Sequence, residues 1–207
     1  DWSSDVCSSD LCIRESHVGL PVSSSSPKNE IIAIDLLTHK QEVLVSGADF
    51  YSSVKVSVDG SSLSWLCWNH PHMPWDETAL FCGRFDEKGL LRDLRHIAGD
   101  GDESIFQPEW DCDNRLIFVS DRSNWWNLYR CDPWGDDLKI QCLYSADMEF
   151  GRPQWVCGQR AYSVNSQGEV VSSHFSQGQW QLATLTEQGL KTIGSGYSDL
   201  KSIVTEG

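Results

Sequence analysis

Hydrophobic positions in this chain come in short runs rather than long stripes. Runs of roughly four to eight residues, rich in Val, Ile, Leu, Tyr, Phe and Trp, occupy positions 30–36, 63–68, 115–120, 126–131 and 180–185. Turn formers stand between them, at 23–27, 59–60, 86–89, 111–114, 132–137, 165–168, 176–178 and 187–189. Branched and aromatic side chains suit a pleated surface, whereas Gly, Asp and Asn accept tight turns. Many short strands at this spacing predict an all-β sandwich, barrel or propeller. One segment disagrees locally: Leu90, Leu91, Leu94 and Ile97 fall at helical spacing. The stretch is too short for periodicity to decide, and its context among repeated strands predicts a strand at 90–97.

An internal repeat narrows the choice. Phe106-Gln107-Pro108-Glu109-Trp110 is echoed by Phe150-Gly151-Arg152-Pro153-Gln154-Trp155, which sets Trp110 and Trp155 45 residues apart. A degenerate earlier copy at 54–60 puts Val56 in the Trp place. Each anchor is followed by a turn and an apolar strand, at 63–68, 115–120 and 160–164. A period of about 40–50 residues with four short strands per unit is the mark of a β-propeller. The predicted fold is therefore all-β, a partial β-propeller with four-stranded antiparallel blades and roughly four blades' worth of chain. Positions 12–18, 30–36 and 41–45 supply the first blade, and two fuller blades start near Tyr51 and Ile105. The unit from Phe150 carries an additional hairpin, and its four main strands are not placed by pattern alone. A blade cannot bury both faces by itself, so Trp110 and Trp155 are expected to fill the space between blades as core aromatics.

Composition changes the picture in a few respects. The 207 residues carry a formal charge of −14, with 40% apolar and 22% charged residues. Those fractions exclude a disordered chain. The negative charge argues against nucleic acid or an anionic membrane as partner. No apolar run approaches the roughly 20 residues of a membrane helix. The ten Trp include the repeat anchors, and the eight Cys contain no C-x-x-C pair. Cys67, Cys82, Cys131 and Cys142 sit in or beside apolar runs, and Cys12, Cys112 and Cys157 complete the set beyond position 11. Buried free Cys behaves as a small hydrophobe, which favours reduced thiols and a cytoplasmic location.

The first eleven residues, D-W-S-S-D-V-C-S-S-D-L, resemble the in-frame translation of a DNA sequencing-library adapter. Positions 1–11 are accordingly set aside from fold reasoning as an expected artefact, and 12–207 are read as the propeller domain. On that reading the natural N-terminus is missing, and the chain is silent about export.

Several clusters could carry chemistry. His70 and His72 with Asp76 and Glu77 imitate a metal site, but Pro71 and Pro74 make a rigid loop there rather than a helix face. A structured insertion with Met73 and Trp75 buried against a neighbour is expected instead. Asp100, Asp102, Glu103, Asp111 and Asp113 lack the central Gly and bidentate Glu of a calcium loop, so solvated turns are expected. Asp121-Arg122 follows a strand directly and reads as an ion pair or turn cap. Trp125 and Trp126 on a strand would face opposite ways, one packed between blades and one exposed. No catalytic, cofactor-binding or metal-binding residue is nominated, and no cofactor is expected.

The string Trp65-Leu66-Cys67-Trp68-Asn69-His70-Pro71-His72-Met73-Pro74-Trp75-Asp76 is more specific. It resembles the W-x-x-W-x-H-P-x-M-P-W-D stretch of the propeller in prolyl oligopeptidase-family serine peptidases, of the acylaminoacyl-peptidase or dipeptidyl-aminopeptidase-like branch. Positions 45–51, 98–99, 103–104, 107–110, 119–122 and 125–129 fit the same pattern in order. The resemblance covers about 12–207 and is strongest over 48–155. It implies a propeller that caps a C-terminal α/β-hydrolase domain, restricts access to the active site, and admits peptides while excluding folded proteins. Such a hydrolase needs a G-x-S-x-G elbow. Gly194-Ser195-Gly196 comes nearest without completing it, so the catalytic domain is expected to lie outside this chain. A binding-only TolB-like propeller holding a protein partner is the alternative. An isolated partial propeller leaves blade faces and edges unpaired, and is expected to be poorly soluble or partly unfolded.

Overall fold

The computed structural model of the chain describes residues 9–17, 27–99, 101–186, 188–194 and 196–205. Its strands form four antiparallel sheets, each a meander in chain order. The first blade holds β1 (Ser9–Ser16), β2 (Lys28–Asp35) and β3 (Gln41–Ser46). The second holds β4 (Phe50–Val56), β5 (Ser62–Trp68), β6 (Ala79–Phe85) and β7 (Leu91–Ala98). The third holds β8 (Ile105–Trp110), β9 (Leu116–Ser120), β10 (Asn127–Cys131) and β11 (Gln141–Tyr144). The fourth holds β12 (Tyr162–Val164), β13 (Val170–Ser176), β14 (Gln179–Thr186) and β15 (Gly189–Ile193). This is a partial β-propeller whose sheets do not close into a ring. Among the described residues no helix is long and apolar enough to cross a membrane.

Strands in the middle of a blade are buried on both faces, which is why they read as continuous apolar runs. Along β9, Leu116 and Phe118 face a cluster shared with Leu66, Leu80 and Ile97 of the second blade. Ile117 and Val119 alternate to the other face and join Phe150, Ala161 and Tyr162. Ile31 of the first blade meets Tyr51, Leu63 and Trp65 in a third cluster. Each blade thus hides the face of its neighbour.

Trp110 behaves as the repeat predicts. It is 8% exposed and its indole Nε1 donates to the Lys55 carbonyl of the preceding blade at 3.1 Å. Polar contacts also tie blades together. The Gln107 Nε2 donates to the Tyr162 carbonyl at 2.7 Å, and its Oε1 accepts from Ala161 N at 2.7 Å. The buried Tyr162 hydroxyl returns the contact, donating to the carbonyls of Gln107 and Ile117.

The expected strand does form, as β7 over Leu91–Ala98, and the helical spacing has a physical origin. Asp93 has φ of 49° and the β6–β7 register shifts around it. An extra residue converts the strand period of two into three locally. Leu91 and Leu94 therefore both lie over Gly83 of β6, where an added Cβ would stand 2.7 Å from Leu94 Cδ2.

At the chain's start, β1 pairs with β2 from Ser9↔Asp35 through Leu11↔Ala33 without a break, so the ladder runs across positions 11 and 12. Positions 1–8, the turn at 23–26 and Val18 lie outside the described residues.

The fourth blade corrects one expectation. Residues 151–161 form no strand, and Trp155 is 73% exposed instead of filling an inter-blade space. Gly151 lies against the Trp126 ring so closely that an added Cβ would come within 1.8 Å of it. Gln154 Nε2 donates to the carbonyls of Pro74 and Ile105, both at 3.0 Å, and Arg152 Nη2 donates to the Leu200 carbonyl. These contacts draw the segment across the end of the earlier blades. The blade is completed by the additional hairpin β14–β15, while Ile203 N donates to the Arg160 carbonyl beside β12.

Candidate binding cavity at the loop end of the blades

Strands β5, β9 and β13 end, and β6, β10 and β14 begin, at one end of the blades. The loop at 69–78 is built there as a rigid insertion. Asp49 N donates to Asn69 Oδ1 at 2.8 Å, and His70 N donates to Asp49 Oδ2 at 2.9 Å. Met73 N donates to Asp76 Oδ2, which caps a turn closed by Asp76 N on the Met73 carbonyl. Pro74 is the buried foot of the loop, its carbonyl accepting from Ser104 Oγ at 2.8 Å.

The candidate ligand side chains of this loop have separate neighbours. His70 meets the Phe50 ring edge-on at 4.9 Å, and His72 Nε2 lies 3.4 Å from Glu77. No group of three or more potential metal ligands forms among the described residues. Trp75 is half-buried against the Trp155 ring, centroids 4.3 Å apart, but Met73 is 45% exposed rather than buried. Its side chain stands at the rim of a cavity instead of inside a neighbour.

Glu103, Asp111 and Asp113 are engaged, whereas Asp102 is exposed. Asp111 Oδ1 accepts from the backbone N of Asp113 and Arg115, and its Oδ2 from Arg115 Nε. Glu103 is buried and accepts from Gly99 N, Ser120 Oγ and the Arg122 guanidinium. Arg122 thus pairs with Glu103 rather than with Asp121. Asp121 is a cap, accepting from Ser104 N at 2.8 Å, and burial pushes its carboxyl upward. Asp100 lies outside the described residues. Trp125 and Trp126 precede β10 in the loop rather than lying on a strand. Trp125 is exposed, and Trp126 packs on Phe106 at 5.8 Å.

Burial pushes the Cys82 and Cys131 thiols up to about 12 and Cys67 up to about 11, so these side chains stay protonated. The seven described cysteines are free, and Cys112 and Cys157 are exposed.

A cavity of about 410 Å³ opens between β4, β8, the 69–78 loop and residues 154–159. Phe50, Trp68, Trp75, Phe106 and Trp155 form much of its wall. Phe50 and Trp68 stack at 5.4 Å with an 18° interplanar angle. Among the described residues no Asp, Glu, Lys, Arg or His lines it. Ser53 (φ 53°) and Gln107 (φ 49°) stand in its lining, each three residues before its anchor, Val56 or Trp110. Both sit at register shifts of the inner strands. Such bulges re-aim side chains at the rim of a sheet. Sequence reasoning missed Ser52, Gln107 and Gln154, although the repeat position shared by Ser53 and Gln107 was a readable signal. A second aromatic hollow adjoins this cavity through Trp75 and Trp155, with Arg152 lying 3.4 Å over the Trp180 ring.

No protein-family profile matches the sequence, and no curated protein matches it significantly. Solved structures do. A Mycobacterium tuberculosis puromycin-hydrolysing peptidase is 29% identical with a TM-score of 0.82, over 92% of this chain and 30% of its own. Prolyl oligopeptidase B from Galerina marginata shares the fold at 11% identity and a TM-score of 0.66, over 95% of this chain and 27% of its own. TolB from Acinetobacter baumannii shares it more weakly, at 16% identity and 0.54, over 80% and 37%. The chain therefore spans about a third or less of the length of the peptidases it matches. Carrying both the repeated blades and the His-Pro-x-Met-Pro-Trp-Asp loop, the chain is similar to the β-propeller portion of the puromycin-hydrolysing peptidase and shares its fold with that of prolyl oligopeptidase B.

Proposed function

We propose that this chain is the non-catalytic propeller portion of a serine peptidase, covering an α/β-hydrolase domain supplied by the rest of the same protein. The observation that carries the reading is the 29% identity and TM-score of 0.82 to the puromycin-hydrolysing peptidase across 92% of the chain. The blades act as a screen: peptides reach the active site and folded proteins are held out. Unreactive buried thiols suit a reducing compartment, so the protein works in the cytoplasm. Peptide substrates and the hydrolase domain are its partners.

The test is made on the natural gene and its full-length product. A G-x-S-x-G elbow within the next few hundred codons, and labelling of the full-length protein by a fluorophosphonate probe, are the expected results. A reading frame that stops after a few more blades, with no labelling, would overturn the peptidase reading and leave a binding-only propeller.

A further inference from the structure

We infer that the second aromatic hollow, beside Trp75 and Trp155, is a binding site for an organic ammonium group, with Glu149 as its counter-ion. The hollow holds about 550 Å³, within the range of ligand pockets. Its walls include the Trp75–Trp155 pair, the Phe175–Trp180 pair with centroids 5.5 Å apart, and Trp126. Ring faces are negative and attract a cation once water is displaced. One cation is already seated there. The Arg152 guanidinium lies 3.4 Å over the Trp180 ring, and its Nη2 donates to the Leu200 carbonyl and to Asp199. Arg152 thus takes the Trp180 ring and has its own carboxylate. Among the described residues no cation covers Trp75, Trp126, Trp155 or Phe175, and Glu149 is the one carboxylate that lines the hollow.

The carboxylate is held in place by its surroundings. Glu149 N donates to the Phe175 carbonyl at 3.2 Å, and Phe175 N donates to the Glu149 carbonyl at 2.8 Å, which locks this backbone to β13. Glu149 Oε2 accepts from Trp126 N at 3.0 Å. Its Oε1 has no hydrogen-bond or ion-pair partner among the described residues. The residue is half-buried, and this oxygen is not sealed from solvent. The charge of Glu149 is also felt nearby. The Asp121 carboxyl is pushed up mainly by burial, and the carboxylates of Glu103 and Glu149 add to that. An arriving cation relieves this repulsion. A neutral ring would leave Oε1 without a donor, and an anion would meet a like charge. A metal ion would find no group of three ligands among the described residues. An ammonium group gives an N–H to Oε1 and its charge to the ring faces. That the amine belongs to a peptide substrate rests on the peptidase reading; that the hollow takes an organic ammonium group does not.

The experiment is calorimetric titration of the full-length protein carrying this chain, at about pH 7, where amines carry their proton. The ligands are phenylalaninamide, with a free α-amine, and N-acetyl-lysinamide, whose amine is on the side chain. N-acetyl-phenylalaninamide and 3-phenylpropionate supply the same ring without a cation. Saturable binding is expected for phenylalaninamide or N-acetyl-lysinamide, the one that binds more tightly naming a main-chain or side-chain source. No binding is expected for the other two at the same concentrations. Glu149→Gln keeps an acceptor for Trp126 N but removes the charge, and is expected to weaken the amine about tenfold. Trp155→Ala removes an exposed ring and is expected to weaken it about fivefold. This second variant carries the test should Glu149→Gln misfold. Absence of binding by both amines, equal binding of either ligand without a cation, or unchanged affinity in Glu149→Gln or Trp155→Ala would overturn the site. The readout is binding, so failure of the peptidase reading shows separately, as absence of fluorophosphonate labelling with amine binding intact.

Discussion

Trp110 and Trp155 end the same motif, yet one is a core residue and the other a surface ring. Trp110 closes β8, pairs with Leu116 of β9 and reaches the Lys55 carbonyl of the neighbouring blade. Trp155 ends a stretch with no ladder, and its main contact is the Trp75 ring of a loop. The difference lies in what surrounds the motif. Beside Trp110 stand two complete sheets whose backbones are already paired. Before Trp155 stand Gly151 under Trp126, Arg152 reaching Leu200, and Gln154 reaching Pro74 and Ile105, and these hold the segment away from a strand position. A repeated sequence supplies the chance of a repeated packing, and the neighbours decide whether it is taken.

That contrast can be broken at several points. Trp110→Ala is expected to cost about 3–5 kcal/mol in urea unfolding, the range for removing a buried Trp. A loss below about 1 kcal/mol, the size expected at the surface, would mean the two anchors are equivalent after all. Gln107→Ala should cost about 1–3 kcal/mol, because it leaves Ala161 N and the Tyr162 carbonyl buried without a partner. If the third and fourth blades unfolded as tightly coupled in that variant as in the parent by hydrogen exchange, the Gln107 staple would be unnecessary.

Acid should loosen the fourth blade first. His174 on β13 is buried against Phe150, and desolvation holds its pKa below the usual value near 6.5. The unfolded chain then binds the proton more readily than the folded one. Stability is fully present above about pH 6.5 and is lost as pH falls from there towards the lower folded pKa. His174→Gln should flatten that slope, and an unchanged pH profile would remove His174 as its source. The smallest expected effect belongs to the exposed anchor: Trp155→Ala should change stability by under about 0.5 kcal/mol.

Much of the blade pattern was legible in advance because a strand buried on both faces shows itself as an unbroken apolar run. Residues 63–68 and 115–120 became β5 and β9 within one residue at their starts. The turn acids were legible too, since Asp86, Asp111 and Asn165 cap their own following turns through local hydrogen bonds. The cavity was not legible. Its walls come from positions as distant as Phe50 and Trp155, and its geometry depends on bulges at Ser53 and Gln107 that no local propensity demands. Met73 was misread for the same reason, because an apolar residue in a rigid loop is buried only if a neighbour reaches it.

By itself the sequence determined the fold class, the repeat and the resemblance, since these rest on residue types at short spacing. Local turn chemistry and alternating burial write themselves into neighbouring positions. The tertiary structure decided which anchor is core, where the last blade takes its strands, and where an aromatic cavity opens. Those outcomes depend on which distant backbone groups and rings arrive at one place, and close packing between blades leaves room for only one arrangement.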